Sequence, residues 1–202
     1  MLCLGAHPDD IEIGCGATLV ALTEARPDAS VNWVIFSGDS IRAAESRKAC
    51  EVLLGGPGKL MFFEYRDGYF PAQWGRIKDT FEELKKSLSP SLIFTHGLGD
   101  RHQDHRVIAE LTWNTFRDHA IWEYEVAKYE GDLGERNIYV PLTLAALDRK
   151  CQVLIDCFPS QRDRRWFREE TFAALARIRG IECNAEEGVA EAFYGRKNSV
   201  SF

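Results

Sequence analysis

Short apolar runs alternate along the chain with longer stretches in which apolar residues recur every three or four positions. The runs at 1–5, 31–36, 60–65 and 92–95 have strand length. Between the third and fourth, Trp74, Ile77, Phe81, Leu84 and Leu88 fall on one helical face and predict an amphipathic crossover helix that Pro90 closes. Strands separated by helical stretches are the pattern of βαβ units, so an α/β fold with a mostly parallel sheet and helices on its faces is expected. The C-terminal half predicts a small additional β/α section. Residues 122–129 and 137–140 read as short strands, Leu147, Cys151, Leu154 and Phe158 mark a helix ended by Pro159, and a last helix covers 166–179 with Gly180 as its stop. No repeat, low-complexity tract or linker divides the sequence, so residues 1–202 are read as one domain.

Composition narrows the class. The chain has 202 residues, a formal net charge of −6 and 45% hydrophobic residues, which suits a globular domain and gives no basic surface for nucleic acid. No apolar run is long enough to span a bilayer. Cys3, Cys15, Cys50, Cys151, Cys157 and Cys183 form no Cys-x-x-Cys pair and are expected to be reduced and packed as small hydrophobes. Met1 leads into Leu2-Cys3-Leu4 without a basic segment or cleavage site, so a cytoplasmic location is expected; oligomeric state is left open.

Chemistry enters through the positions of the polar residues. In open α/β sheets, ligands bind beyond the carboxyl ends of the strands. His7, Asp9 and Asp10 follow the first predicted strand, Ser37 and Asp39 the second, Asp67 the third, and His96, His102, Asp104 and His105 the fourth. Carboxylates next to a buried strand are costly unless paired or bound to a cation. His7 and Asp10, across a turn that Pro8 helps fix, can share one ion, with a third ligand from residues 102–105. Two imidazoles and a carboxylate leave a position open, as catalytic zinc does, and zinc activates water for hydrolysis of an amide or ester. Asp9 is placed to act as general base. A charged His102, three residues before His105, is placed to steady an oxyanion or protonate a leaving amine, and Asp104 to orient an imidazole.

Ala6-His7-Pro8-Asp9-Asp10 followed by Gly14, and the later His102-Gln103-Asp104-His105, resemble the hallmarks of the PIG-L/LmbE family of zinc-dependent N-deacetylases. The likeness extends to Arg42 and Glu45, Asp67-Gly68, Lys150, Ser160-Gln161 and the segment 190–193. It implies a Rossmann-like three-layer fold and removal of acetyl from an N-acetylglucosamine-type sugar conjugate. His7, Asp10 and His105 would be the zinc ligands and Asp9 the base. The family's glycolipid-processing members carry a membrane helix, which is missing from this sequence, so a hydrophilic conjugate is the expected substrate, its hydroxyls read by Arg42 and Asp67.

Plainer explanations compete at each point. Asp9 and Asp10 can cap a helix beginning near Gly14, Arg42 can pair with Glu45 along a helix, and Asp67-Gly68 is an ordinary turn dipeptide. His96 is read as a buried, hydrogen-bonded histidine, and His119 is given no role. Lys150 is read as helix surface, and Arg162, Arg164 and Arg165 as a solvated face open to an anionic sugar. The alternative function is a Rossmann-like module that binds a nucleotide or sugar phosphate without catalysis.

Overall fold

The computed structural model describes residues 1–56 and 59–197. Five strands, β1 (Leu2–Gly5), β2 (Asn32–Ser37), β3 (Lys59–Tyr65), β4 (Leu92–His96) and β5 (Ala120–Tyr124), form a parallel sheet in the order β3-β2-β1-β4-β5. Alternate residues feed opposite faces. Cys3, Trp33, Ile35 and Phe94 join one core cluster with α1 (Asp10–Ala25), α2 (Ser40–Leu54), α5 (Leu144–Cys157) and α6 (Glu169–Glu182). Leu2, Leu4, Val34, Phe36 and Ile93 join the other with α3 (Trp74–Ser87) and α4 (Gln103–Thr115). The two-residue period of the strands thus produces the helix–sheet–helix layering. The order reverses direction between β1 and β4, the switch point where an open α/β sheet leaves a crevice.

The second half departs from expectation. The strand expected at 122–129 lies at Ala120–Tyr124 and completes the parallel sheet beside β4. β6 (Ile138–Pro141) pairs antiparallel with β7 (Ala190–Phe193), a strand that the small residues of Ala190-Glu191-Ala192-Phe193 did not announce. The final helix starts later than 166 and runs past Gly180. That glycine is needed for close approach, because a Cβ there would stand 2.3 Å from the Gly188 backbone. Gly14 serves a similar end inside α1, where a Cβ would stand 2.2 Å from the Tyr124 ring.

Helix α1 is broken at Cys15, whose φ of −147° is not helical. The freed Ile13 carbonyl accepts from Lys150 Nζ at 2.6 Å, while the Ala17 and Thr18 N–H groups donate to the Glu191 carboxylate at 3.2 and 2.7 Å. Lys150 and Glu191 are themselves joined at 2.6 Å. Lys150, expected on the surface, is therefore buried, because its charge is consumed by a partner from β7 and by a helix break. Lys150→Met is expected to cost about 3–5 kcal/mol, since it leaves the Glu191 charge buried and unpaired. Urea unfolding with a parental midpoint would contradict this.

All six cysteines are free, five of them buried. No helix among the described residues is long and apolar enough to cross a membrane.

Candidate functional site

The turn after β1 carries the first half of the site. Asp9 sits at the N-cap of α1 with φ 93°, a left-handed conformation that Asp and Asn tolerate better than most residues, and its side chain makes no capping bond. Helix capping therefore does not explain Asp9. Its carboxylate lies 3.3 Å from Arg42 Nη2, which also donates to the Pro8 carbonyl. Arg42 is thus turned onto the Pro8-Asp9 turn. Glu45, the partner that helix spacing offered it, instead accepts from the backbone N–H and hydroxyl of Ser160. Burial pushes the Asp9 carboxyl up to about 7 against the pull of Arg42, with the Asp10 charge adding to the rise.

The second half comes from the segment after β4 and the start of α4. His7 Nδ1 lies 3.1 Å from His105 Nε2 and 3.3 Å from Asp10 Oδ2, and His105 Nε2 lies 3.4 Å from Asp10 Oδ1. Hydrogen-bond partners on the far sides of both rings decide what these atoms present. His7 Nε2 faces Asp67 Oδ1 at 3.1 Å and Asp104 Oδ2 at 3.3 Å, so it carries a proton to donate. His105 Nδ1 donates likewise to Asp100 Oδ2 at 2.9 Å. In their neutral forms both rings consequently turn lone pairs inward, onto the Asp10 carboxylate.

Three inward-facing acceptors repel one another unless a positive charge lies between them. Ligand atoms bonded at ~2.0–2.1 Å to a tetrahedral ion stand about 3.3–3.4 Å apart, close to these separations. The donor set fits a divalent cation such as zinc. Without one, a proton takes its place. Burial opposes charge on His7, yet the Asp10, Asp104 and Asp67 carboxylates outweigh it and raise its pKa well above the ordinary value. His105 is pushed down to about 3 by burial and by neighbouring His96. Asp10, despite its burial, is held well below the usual carboxylate range by His105, His96 and His7.

Two further imidazoles stand close by with their lone pairs already used. His96 Nε2 accepts from the Ala6 N–H at 3.0 Å, and its ring stacks on His105 at 3.8 Å. His102 caps α4, its Nδ1 accepting from the Asp104 N–H at 3.3 Å, so that Nε2 carries the proton. Burial and the charge on His7 lower the His102 pKa. His102 is therefore a neutral donor, where the sequence allowed a charged one. Asp104 is fully buried and accepts from Gly68 N at 2.6 Å and Phe70 N at 3.0 Å, fixing the segment that carries Asp67.

These side chains open into a cavity of about 250 Å³ lined by His7, Asp9, Asp10, Arg42, Asp67, His102 and His105, with Tyr129, Arg164 and Trp166 from the second half. Ser37 and Asp39 do not join it. Ser37 Oγ donates to the Ala6 carbonyl, and Asp39 caps α2. The sequence reading missed Asp100 and Lys128. Asp100 precedes the second motif as an ordinary turn residue, and nothing local announces that it reaches His105.

The family described as PIG-L, GlcNAc-PI de-N-acetylase, matches residues 2–116. A curated relative, the uncharacterized deacetylase YaiS of Escherichia coli K12, is 32% identical over 123 residues, covering 55% of this chain and 65% of the relative. The chain thus spans slightly less than two thirds of that protein. Among solved structures, N,N'-diacetylchitobiose deacetylase of Pyrococcus horikoshii aligns over 96% of this chain and 82% of its own, with 22% identity and a TM-score of 0.72. GalB, the 4-carboxy-2-hydroxymuconate hydratase of Pseudomonas putida KT2440, aligns over 100% of this chain and 97% of its own, with 16% identity and a TM-score of 0.77. Both likenesses are of fold, and the fold serves more than one reaction.

Proposed function

We propose, from the premise that the chain belongs to the PIG-L family, that it is a metal-dependent hydrolase removing acetyl from the nitrogen of a hydrophilic N-acetylglucosamine-type conjugate. The observation that carries this reading is the convergence of His7 Nδ1, His105 Nε2 and Asp10 beside an uncapped Asp9, in a crevice at the sheet's switch point. A buried, uncapped Asp9 beside inward-facing lone pairs fits a proton acceptor at a metal site better than it fits the alternative binding module.

His7, Asp10 and His105 would hold zinc, which when bound would supply a Lewis acid to polarise the amide carbonyl and acidify a water. Asp9 accepts the proton from the attacking water, steadied in its turn by Arg42. His102, through Nε2–H, donates to the carbonyl oxygen as negative charge develops there. The C–N bond then breaks, the nitrogen takes the proton held by Asp9, and a free amine and acetic acid leave, the acid ionising to acetate in water. Asp104 keeps His7 and the Asp67 segment in place. Asp67, exposed at the cavity edge, offers its carboxylate to sugar hydroxyls, and Arg42 borders the same space.

His102→Ala is expected to retain metal and to lower kcat more than it raises KM, because its bond strengthens in the transition state. An unchanged kcat would remove His102 from the chemistry. The substrate class is tested by incubating the metal-loaded protein with nucleotide-, lipid- and inositol-linked N-acetylglucosamine and reading acetyl loss by mass spectrometry. Loss from a water-soluble conjugate is expected. A metal-loaded protein that leaves every conjugate intact would overturn the proposal.

A further inference from the structure

Lys128 lies in the segment between β5 and β6, beyond the residues 2–116 that match the family. Its ammonium donates to Asp100 Oδ2 at 3.0 Å, to both oxygens of Asp132 at 2.9 and 2.8 Å, and more weakly to the Val126 carbonyl at 3.4 Å. All three charged side chains are nearly buried, at 8%, 8% and 6% exposure. Asp100 in turn accepts from His105 Nδ1 at 2.9 Å and, through Oδ1, from the His102 N–H at 2.8 Å. Asp132 accepts from the Arg101 N–H at 2.8 Å. One lysine thus ties the loop that carries the second motif to a segment of the C-terminal half.

We propose that Lys128 is a positioning residue that, acting through Asp100, fixes the tautomer and orientation in which His105 meets a metal ion. This rests on His105 being a ligand, as proposed above. Although Lys128 borders the cavity, its donors are taken up by Asp100, Asp132 and Val126, so it has none in reserve for substrate. Its ammonium compensates two buried carboxylates. Without it they repel across a desolvated gap, and Asp100 turns away from its present place. The His105 Nδ1–H then loses its acceptor, and the ring proton is free to move to Nε2, where the Asp10 carboxylate lies at 3.4 Å to accept it in competition with the proton on His7. Partners of this kind behind a ligating histidine are worth about 10- to 100-fold in metal affinity.

The test measures zinc affinity, by competition with a chromogenic chelator, in the full chain and in Lys128→Met, Lys128→Arg and Lys128→Gln. Nitrogen-15 spectra of the metal-free proteins report the His105 tautomer. Lys128→Met is expected to bind zinc about 10- to 100-fold more weakly and to show a mixed tautomer. Lys128→Arg, which keeps the charge, should recover most of the affinity. If Lys128→Met does not fold, Lys128→Gln carries the test, because its amide can still hydrogen-bond the two carboxylates but does not compensate their charge, and a smaller loss with the same tautomer change is expected. Zinc affinity within twofold of the parent and an unchanged Nδ1–H tautomer, in whichever of Lys128→Met and Lys128→Gln is folded, would overturn the proposal. A parent chain that binds no zinc would instead overturn the metal reading itself.

Discussion

His7→Ala is expected to lose bound metal and hydrolytic activity together. The imidazole contributes one of three converging donor atoms, with Nδ1 at 3.1 Å from His105 Nε2 and 3.3 Å from Asp10. Two remaining ligands do not make a site of the usual catalytic kind, which takes three from the protein and leaves one position open. The substitution also strands Asp104, Asp67 and Asp10, each of which leans on His7. Zinc stabilises the folded chain by mass action only if the site is intact. The thermal midpoint of the variant should therefore be insensitive to added zinc, while that of the parent rises. Metal content after desalting checks the same point, and full occupancy in His7→Ala would contradict the ligand assignment.

Asp9→Asn is expected to keep its metal and lose about 10²- to 10⁴-fold in turnover, the scale of a lost general base. The backbone makes this a clean substitution. Asn accepts the left-handed φ of 93° about as well as Asp, so the turn should hold its shape. The amide cannot take a proton from water, yet it still fills the space beside Arg42. Metal analysis and steady-state kinetics on the same preparation separate the two effects. Activity close to the parent would place the base elsewhere, and loss of metal would make Asp9 a ligand.

Most of what positions this site is legible in the sequence because it depends on local pattern. The runs at 1–5, 31–36 and 92–95 became parallel strands since their side chains are buried on both faces, the run at 60–65 became a part-buried edge strand, and the polar residues that follow β1 and β4 meet because those strands are neighbours. What escaped depends on contacts between distant segments. Gly180 mimics a helix stop, yet it is there to let α6 pass the Gly188 backbone. Lys150 has the helical spacing of a surface lysine, and only Glu191, far along the chain, makes it an interior one. Arg42 follows the same rule. Its helical neighbour Glu45 is a plausible partner by spacing, but the turn at Pro8 and Asp9 claims the guanidinium. Asp100 and Lys128 look like loop residues until the fold brings them behind His105.

The central claim, that His7, Asp10 and His105 hold a metal for N-deacetylation, is tested most directly by one comparison. The chain is stripped with a chelator, divided, and one half reloaded with a single equivalent of zinc. Both halves are given the N-acetylglucosamine conjugate that responds best, and loss of one acetyl is followed by mass spectrometry. The account predicts acetyl loss in the reloaded half and almost none in the stripped half. Equal rates in the two halves, or an intact conjugate in the reloaded one, would contradict it.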